Sequence, residues 1–241
     1  MNSDILKNKK AIIFDLDGTL IDSVNIFNEI YATLVKNLSG KIVSASQIQN
    51  DWDEYIHVNS SRDSLSDGFI VFLNEKYNDG KTIDIEEQRK QYNDITYDYI
   101  VNKVGYKDFA KETIDLLREK GYKLVLATIT SKFTLDIYNY QSKLLGGLYG
   151  NFDLVLSHDD VKEKKPNPEV YLTAVERIGV PKDKCLVVED SLEGVKAATS
   201  AGIEVVNVVD ENMFETQSQI DEISTYKMNN LKEFYDLVAI L

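Results

Sequence analysis

The chain has 241 residues, with 27 Lys and Arg set against 40 Asp and Glu, giving a formal net charge of −13. That acid excess repels nucleic acid and anionic membrane surfaces, whose binding relies on basic side chains neutralising phosphates. One cysteine, Cys185, rules out an internal disulfide, and with only His57 and His158 as histidines a Cys/His zinc cluster is excluded, so any metal must be held mainly by oxygen.

From the N-terminus, MNSDILKNKK has no apolar stretch behind its charges, and no later run approaches the ~18 apolar residues of a membrane span. A cytoplasmic protein is the expectation. From Ala11, AIIFDLD is apolar for four residues and then acidic, which predicts a buried strand delivering carboxylates to the loop at its end. Similar strand signals recur at Lys123–Thr128, Phe152–Ser157, Lys184–Asp190 and Ile203–Val209. Between them, apolar residues at helical spacing predict helices over Asp108–Lys120, Lys132–Leu145, Pro168–Ile178 and Ser191–Ala201, with Gly121, Gly179 and Gly202 as left-handed caps on the first, third and fourth. Strands alternating with helices predict an α/β fold, a parallel sheet flanked by helices, with ligands beyond the carboxyl ends of the strands.

The alternation breaks once. About 84 residues, 22–105, separate the first two strands and read as four helices over Val24–Leu38, Ser46–His57, Ser64–Tyr77 and Ile85–Val104. Residues 1–21 and 106–241 are expected to form the core, and 22–105 an inserted all-helical lid. The lid holds 14 acidic against 8 basic residues, so a small substrate suits it better than a polyanionic macromolecule.

Three strand ends and one loop carry polar residues suited to one job. Asp15 and Asp17 end the first strand, Thr128 the second, and Glu189 and Asp190 the fourth, while Lys165 precedes Pro166 in the loop opening a helix. These residues, as DLDGT at Asp15–Thr19, Thr128, Lys165 and EDSLEG at Glu189–Gly194, resemble the four motifs of the haloacid dehalogenase-like superfamily in their order along the chain. The resemblance implies a Rossmann-like core and a helical C1-type cap, as in phosphoglycolate phosphatases and beta-phosphoglucomutases. Asp17 points to phosphate rather than halide chemistry, because halide leaves carbon without needing a proton.

The chemistry explains the residue types. A carboxylate is ionised at neutral pH and attacks phosphorus without a base, so Asp15 is the expected nucleophile and Asp17 the acid and base. Mg²⁺, a hard ion seeking oxygen, is expected on Asp15, the Asp17 carbonyl and Asp190, with direct ligation by Glu189 left open. Lys165 and Thr128 would stabilise the phosphoryl oxygens, with Gly18, Thr19, Ile129 and Thr130 as further substrate contacts. In the lid, SSRDSL at Ser60–Leu65 resembles the family's substrate loop and makes Arg62 a candidate ligand for the substrate's distal part. Two departures from the mutases, Asn59 or Ser60 for the loop glycine and Phe27 for a histidine, put a phosphatase acting on a small phosphorylated metabolite ahead of a phosphosugar mutase. A non-catalytic phosphometabolite-binding protein is the remote third reading. A monomer or weak homodimer is expected. Cys185 reads as core, His57 and His158 as surface or loop, Lys164 as surface, the scattered tyrosines as core or rim, and the acids outside the motifs as a mostly solvated coat.

Overall fold

The computed structural model describes residues 5–58, 65–78 and 84–241. The chain divides into two compact units, Met1–Ser23 with Val104–Leu241, and Val24–Lys103. In the first, six strands form one parallel sheet: β1 Ala11–Phe14, β2 Lys123–Ala127, β3 Leu154–Leu156, β4 Cys185–Glu189, β5 Glu204–Val208 and β6 Tyr226–Met228, in the order β3-β2-β1-β4-β5-β6. Every residue of β1 and β4 is buried, which is why both read as continuous apolar runs rather than alternating ones. The register sets Phe14 opposite Leu126 on one side and Val188 on the other. The next residue, Asp15, donates its N–H to the Val188 carbonyl at 3.0 Å, so it emerges beside the end of β4. Chain order reverses between β1 and β4, the position at which such sheets open a crevice for ligands.

The ten α-helices among the described residues are, in chain order, α1 Val24–Ser39, α2 Ala45–Val58, α3 Leu65–Tyr77, α4 Ile85–Asn102, α5 Ala110–Glu119, α6 Lys132–Tyr140, α7 Glu169–Ile178, α8 Leu192–Ala201, α9 Gln217–Ile223 and α10 Leu231–Ala239. Strand periodicity sorts the side chains between two faces. Ala11, Ile13, Val125, Ala127, Val187 and Val205 pack with Val170, Tyr171 and Ala174 of α7 and Val195 and Ala198 of α8. Phe14, of opposite parity, meets Phe234 of α10 edge to face, with centroids 6.2 Å apart. Asp15 shares the parity of Ala11 and Ile13, and so belongs to the α7 face.

Gly121, Gly179 and Gly202 all have positive φ, as the cap reading expects. The helix expected over Lys132–Leu145 stops at Tyr140. Gln141 and Ser142 both donate their N–H to the Ile137 carbonyl (2.9 and 3.0 Å), and the Ser142 hydroxyl accepts the N–H groups of Leu144 and Leu145 (3.2 and 3.1 Å), an alternative to helix continuation. Strand β6 and helices α9 and α10 had no counterpart in the sequence reading.

In the second unit, α1 buries Ile26, Ile30, Leu34 and Val35 along one stripe. Trp52 lies 5.2 Å from both Phe69 and Phe72, and Tyr31 lies 4.5 Å from Phe69, ring to ring, so aromatic packing ties α1, α2 and α3 together. Asp51 is buried rather than part of a solvated coat, because it accepts hydrogen bonds from the Tyr77 hydroxyl (2.5 Å) and Gln47 Nε2 (3.0 Å) and pairs with Lys76 (3.2 Å). No helix among the described residues is long and apolar enough to cross a membrane.

Candidate active site

The loop before α7 brings Lys165 under the carboxyl ends of β1, β2 and β4. Its ammonium has three protons and three acceptors: Asp15 Oδ1 at 2.6 Å, Glu189 Oε1 at 2.7 Å and the Ala127 carbonyl at 3.0 Å. Burial alone would lower the Lys165 pKa, but the carboxylates of Asp15 and Glu189 outweigh it and hold the group well above its usual value.

Glu189, the last residue of β4, is fully buried and fully bonded. Its Oε1 accepts from Lys165 and from the Tyr171 hydroxyl at 2.8 Å, and its Oε2 accepts from the Asp190 and Ser191 N–H groups and the Ser191 hydroxyl (3.0, 3.1 and 3.1 Å). Burial pushes its pKa up, yet the charge and hydrogen bond of Lys165 prevail and keep it below the usual range. Ser191 caps α8, so Glu189 also sits where a helix N-terminus favours negative charge. Gly194 makes the room: a Cβ there would lie 1.7 Å from Glu189 Oε1, so any side chain would evict the carboxylate.

Asp15 and Asp190 are less well compensated. Burial, Glu189 and Asp17 raise the Asp15 pKa to about 8 despite the opposing Lys165, and burial with the charges of Glu189 and Asp15 raises Asp190 well above its usual value. Asp190 Oδ1 accepts from the buried Thr19 hydroxyl at 2.7 Å. Oxygens of Asp15, Glu189 and Asp190 lie within 4.8 Å of one another. Three carboxylates thus face one ammonium, and an oxygen-seeking divalent cation fits the donor set. With both Glu189 oxygens committed to hydrogen bonds, Asp15 and Asp190 are the better-placed ligands.

Asp17 lies in a different setting. It is half-buried and accepts from three hydroxyls: Ser23 at 2.6 Å, Thr130 at close range and Thr128 at 3.4 Å. Gly18, at φ +83°, packs so tightly that a Cβ would lie 2.3 Å from Asp190 Oδ2; its N–H is taken by the Ile21 carbonyl at 3.0 Å. The absence of a side chain at Gly18 is what admits Asp190. Ile129 is half-exposed and brings no polar side chain. Arg62, Asn59 and Ser60 lie outside the described residues. Lys164 is exposed and Cys185 is buried.

The sequence reading missed Tyr171, Ser23 and a pair beside the site, Lys107 and Asp210. Asp210 follows β5 and is buried rather than solvated, since it pairs with Lys107 and accepts from Asn212. The rule that polar residues end the strands could have found Asp210 had it been carried to the fifth strand.

The haloacid dehalogenase-like hydrolase family matches residues 9–202. A phosphoglycolate phosphatase of Photorhabdus laumondii is 32% identical over 86% of this chain and 83% of its own length. A phosphorylated carbohydrates phosphatase of Thermotoga maritima is 28% identical over 81% and 82%. Among solved structures, a provisionally assigned beta-phosphoglucomutase from Thermotoga maritima superposes with a TM-score of 0.76 at 24% identity, covering 96% of this chain and 99% of that one. A parallel sheet with Asp15 and Asp17 after β1, Glu189 and Asp190 at the end of β4, Lys165 reaching between them, and a family match over most of the length lead to one assignment: the chain belongs to the haloacid dehalogenase-like hydrolases.

Proposed function

We propose that the protein is a Mg²⁺-dependent phosphatase of small phosphorylated metabolites that works through a phosphoryl group carried on Asp15. The observation that supports this most directly is the buried set of Asp15, Lys165, Glu189 and Asp190, in which one ammonium is shared by two of three carboxylates. Asp15 turns Oδ1 to Lys165 and keeps Oδ2 for attack on phosphorus. As the Asp15–phosphorus bond forms, the bond from phosphorus to the leaving oxygen breaks, and Asp17 gives that oxygen its proton. Water then attacks phosphorus, Asp17 takes a proton from it, and Asp15 and inorganic phosphate are regenerated. Lys165, fixed by Glu189 and the Ala127 carbonyl, balances negative charge on the phosphoryl oxygens without having to reorganise. Asp15, Asp190 and the Asp17 carbonyl would hold the metal, which when bound supplies the positive charge that lets a carboxylate approach a phosphate dianion. The names of the two phosphatase relatives support a phosphoester substrate. We assign the choice among metabolites to the helical insert, with Arg62 as its candidate anion contact.

Phosphate release from p-nitrophenyl phosphate and from a panel of phosphorylated sugars and phosphoglycolate tests the reading. Turnover should require Mg²⁺, stop with EDTA and vanish in Asp15→Asn; turnover indifferent to either change overturns it. Including beta-glucose 1-phosphate with its bisphosphate activator separates hydrolysis from mutase action, since 6-phosphate formed faster than free phosphate would favour the mutase.

A further inference from the structure

Three residues into the segment where the chain re-enters the catalytic unit at Val104, Lys107 grips the turn that follows β1. Its Nζ donates to the Gly18 carbonyl at 2.7 Å and pairs with the Asp210 carboxylate at close range, while its backbone N–H donates to the Leu20 carbonyl at 2.9 Å. Asp210 is fixed in turn. Its side chain is 6% exposed, and it accepts from both the backbone N–H and the Nδ2 of Asn212 at 2.8 Å. Just before it, Val209 donates its N–H to the Met228 carbonyl at 2.9 Å, which ties the loop after β5 to β6. Lys107 therefore bridges two loops at the carboxyl edge of the sheet.

The gripped turn sets the place of a buried carboxylate. Gly18 packs within Cβ distance of Asp190 Oδ2, and Thr19 donates to Asp190 Oδ1. Asp17, whose carbonyl belongs to the same proposed donor set, immediately precedes Gly18. Neither Lys107 nor Asp210 hydrogen-bonds to Asp15, Asp17, Asp190 or Lys165. We infer that Lys107 and Asp210 are positioning residues that hold the 17–19 turn against Asp190, so that the oxygen donors for a divalent cation are arranged before the cation binds. The inference rests on the metal-dependent reading above. Without the clamp, the donors must be ordered by the cation itself, and that ordering is subtracted from its affinity.

Mn²⁺, followed by electron paramagnetic resonance in the intact protein without substrate, is the probe. Lys107→Met should weaken Mn²⁺ binding about 10-fold or more, the range for partners that orient metal ligands. Asp210→Asn should weaken it less, because the Gly18 contact survives, and Lys107→Arg should recover part of the loss. Turnover of p-nitrophenyl phosphate by Lys107→Met should return close to wild type at saturating Mg²⁺, with KM little changed. A merely structural role would lower the thermal midpoint and leave Mn²⁺ affinity alone. Wild-type Mn²⁺ affinity in folded Lys107→Met overturns the clamp, and if that variant does not fold, the same result in Asp210→Asn and Lys107→Arg does so. Absence of Mn²⁺ binding by the wild type overturns the metal site itself, a separate failure.

Discussion

Each unit of the molecule buries carboxylates, but the catalytic unit leaves two of its own short of donors. In the helical insert, Asp51 is met by a phenol, an amide and an ammonium; burial pushes its pKa up, but the hydrogen bonds from Tyr77, Lys76 and Gln47 bring it below the usual value. In the catalytic unit, Asp15 and Asp190 are buried beside other carboxylates with one ammonium among them, and both rise. A carboxylate that serves the fold is surrounded by donors until its charge is welcome. On the proposed reading, Asp15 and Asp190 are left under-compensated for a cation and a phosphoryl group that come and go, and the fold bears the cost.

Asp15→Asn should break the contrast most sharply. Loss of the nucleophile should lower phosphatase turnover about 10,000-fold, the scale seen when a covalent catalytic group is removed. Above pH 8, where Asp15 is ionised, the same change should raise the thermal midpoint of the metal-free protein by a few degrees, as expected for relief of about 1 kcal/mol of like-charge repulsion in a chain of this size. Turnover and calorimetry on one preparation check both, and a variant that is inactive and also less stable would refute the under-compensation argument.

Asp17→Asn should come next, with an effect that depends on the leaving group. Turnover of a sugar phosphate, whose alkoxide needs a proton, should fall about 100- to 10,000-fold, while an aryl phosphate with its weakly basic phenolate should lose far less. Equal losses on the two substrates would remove Asp17 from the role of acid.

The extent to which this contrast can be read from sequence differs between its halves. β1 announces itself because AIIF is buried on both faces and the acids come straight after it, and the EDSLEG run marks the end of β4 in the same way. Gly18 and Gly194 could be quoted as motif letters, but not their reason, since the close approach of Asp190 and Glu189 exists only once strand and helix are packed. Asp51 looked like any acid on a polar helix, because its partners Gln47, Lys76 and Tyr77 straddle two helices. Lys107 and Asp210 are 103 residues apart and meet only because β5 lies beside β4 in the sheet. β6 has three residues, one of them the exposed Lys227, and a single neighbouring strand, too little pattern for a period of two to register.

The pH dependence of stability gives the contrast two opposite signs. Asp51, with a folded pKa below its ordinary 3.8, contributes stability that is present above that value and lost as pH falls through the folded pKa. Asp15, raised from 3.8 to about 8, contributes stability to the metal-free protein that is present below pH 3.8 and lost as pH rises through about 8. Thermal midpoints across pH should therefore show Asp51→Asn flattening the acid limb and Asp15→Asn flattening the alkaline one. Mg²⁺, which selects the ionised carboxylate, should raise the midpoint more at pH 8 than at pH 5. At neutral pH, Asp51→Asn should cost about 1–3 kcal/mol, the range for losing charge-assisted hydrogen bonds, with turnover per folded molecule unchanged.

Tyr171→Phe probes the junction of the two kinds of carboxylate and should have the smallest effect. The Tyr171 hydroxyl donates to Glu189 Oε1, and its ring lies 4.9 Å from the Lys165 ammonium, so the phenol helps make Glu189 a compensated acid whose task is to hold Lys165. Removing the hydroxyl leaves Oε1 with Lys165 alone and should lower stability by about 1 kcal/mol, the net value of a single hydrogen bond. The stronger expectation concerns function. With one competitor gone, Lys165 should lean toward Glu189 and away from Asp15, lowering kcat several-fold while KM and Mn²⁺ affinity stay near wild type. A loss confined to KM would instead place Tyr171 in substrate binding, a role its complete burial already argues against.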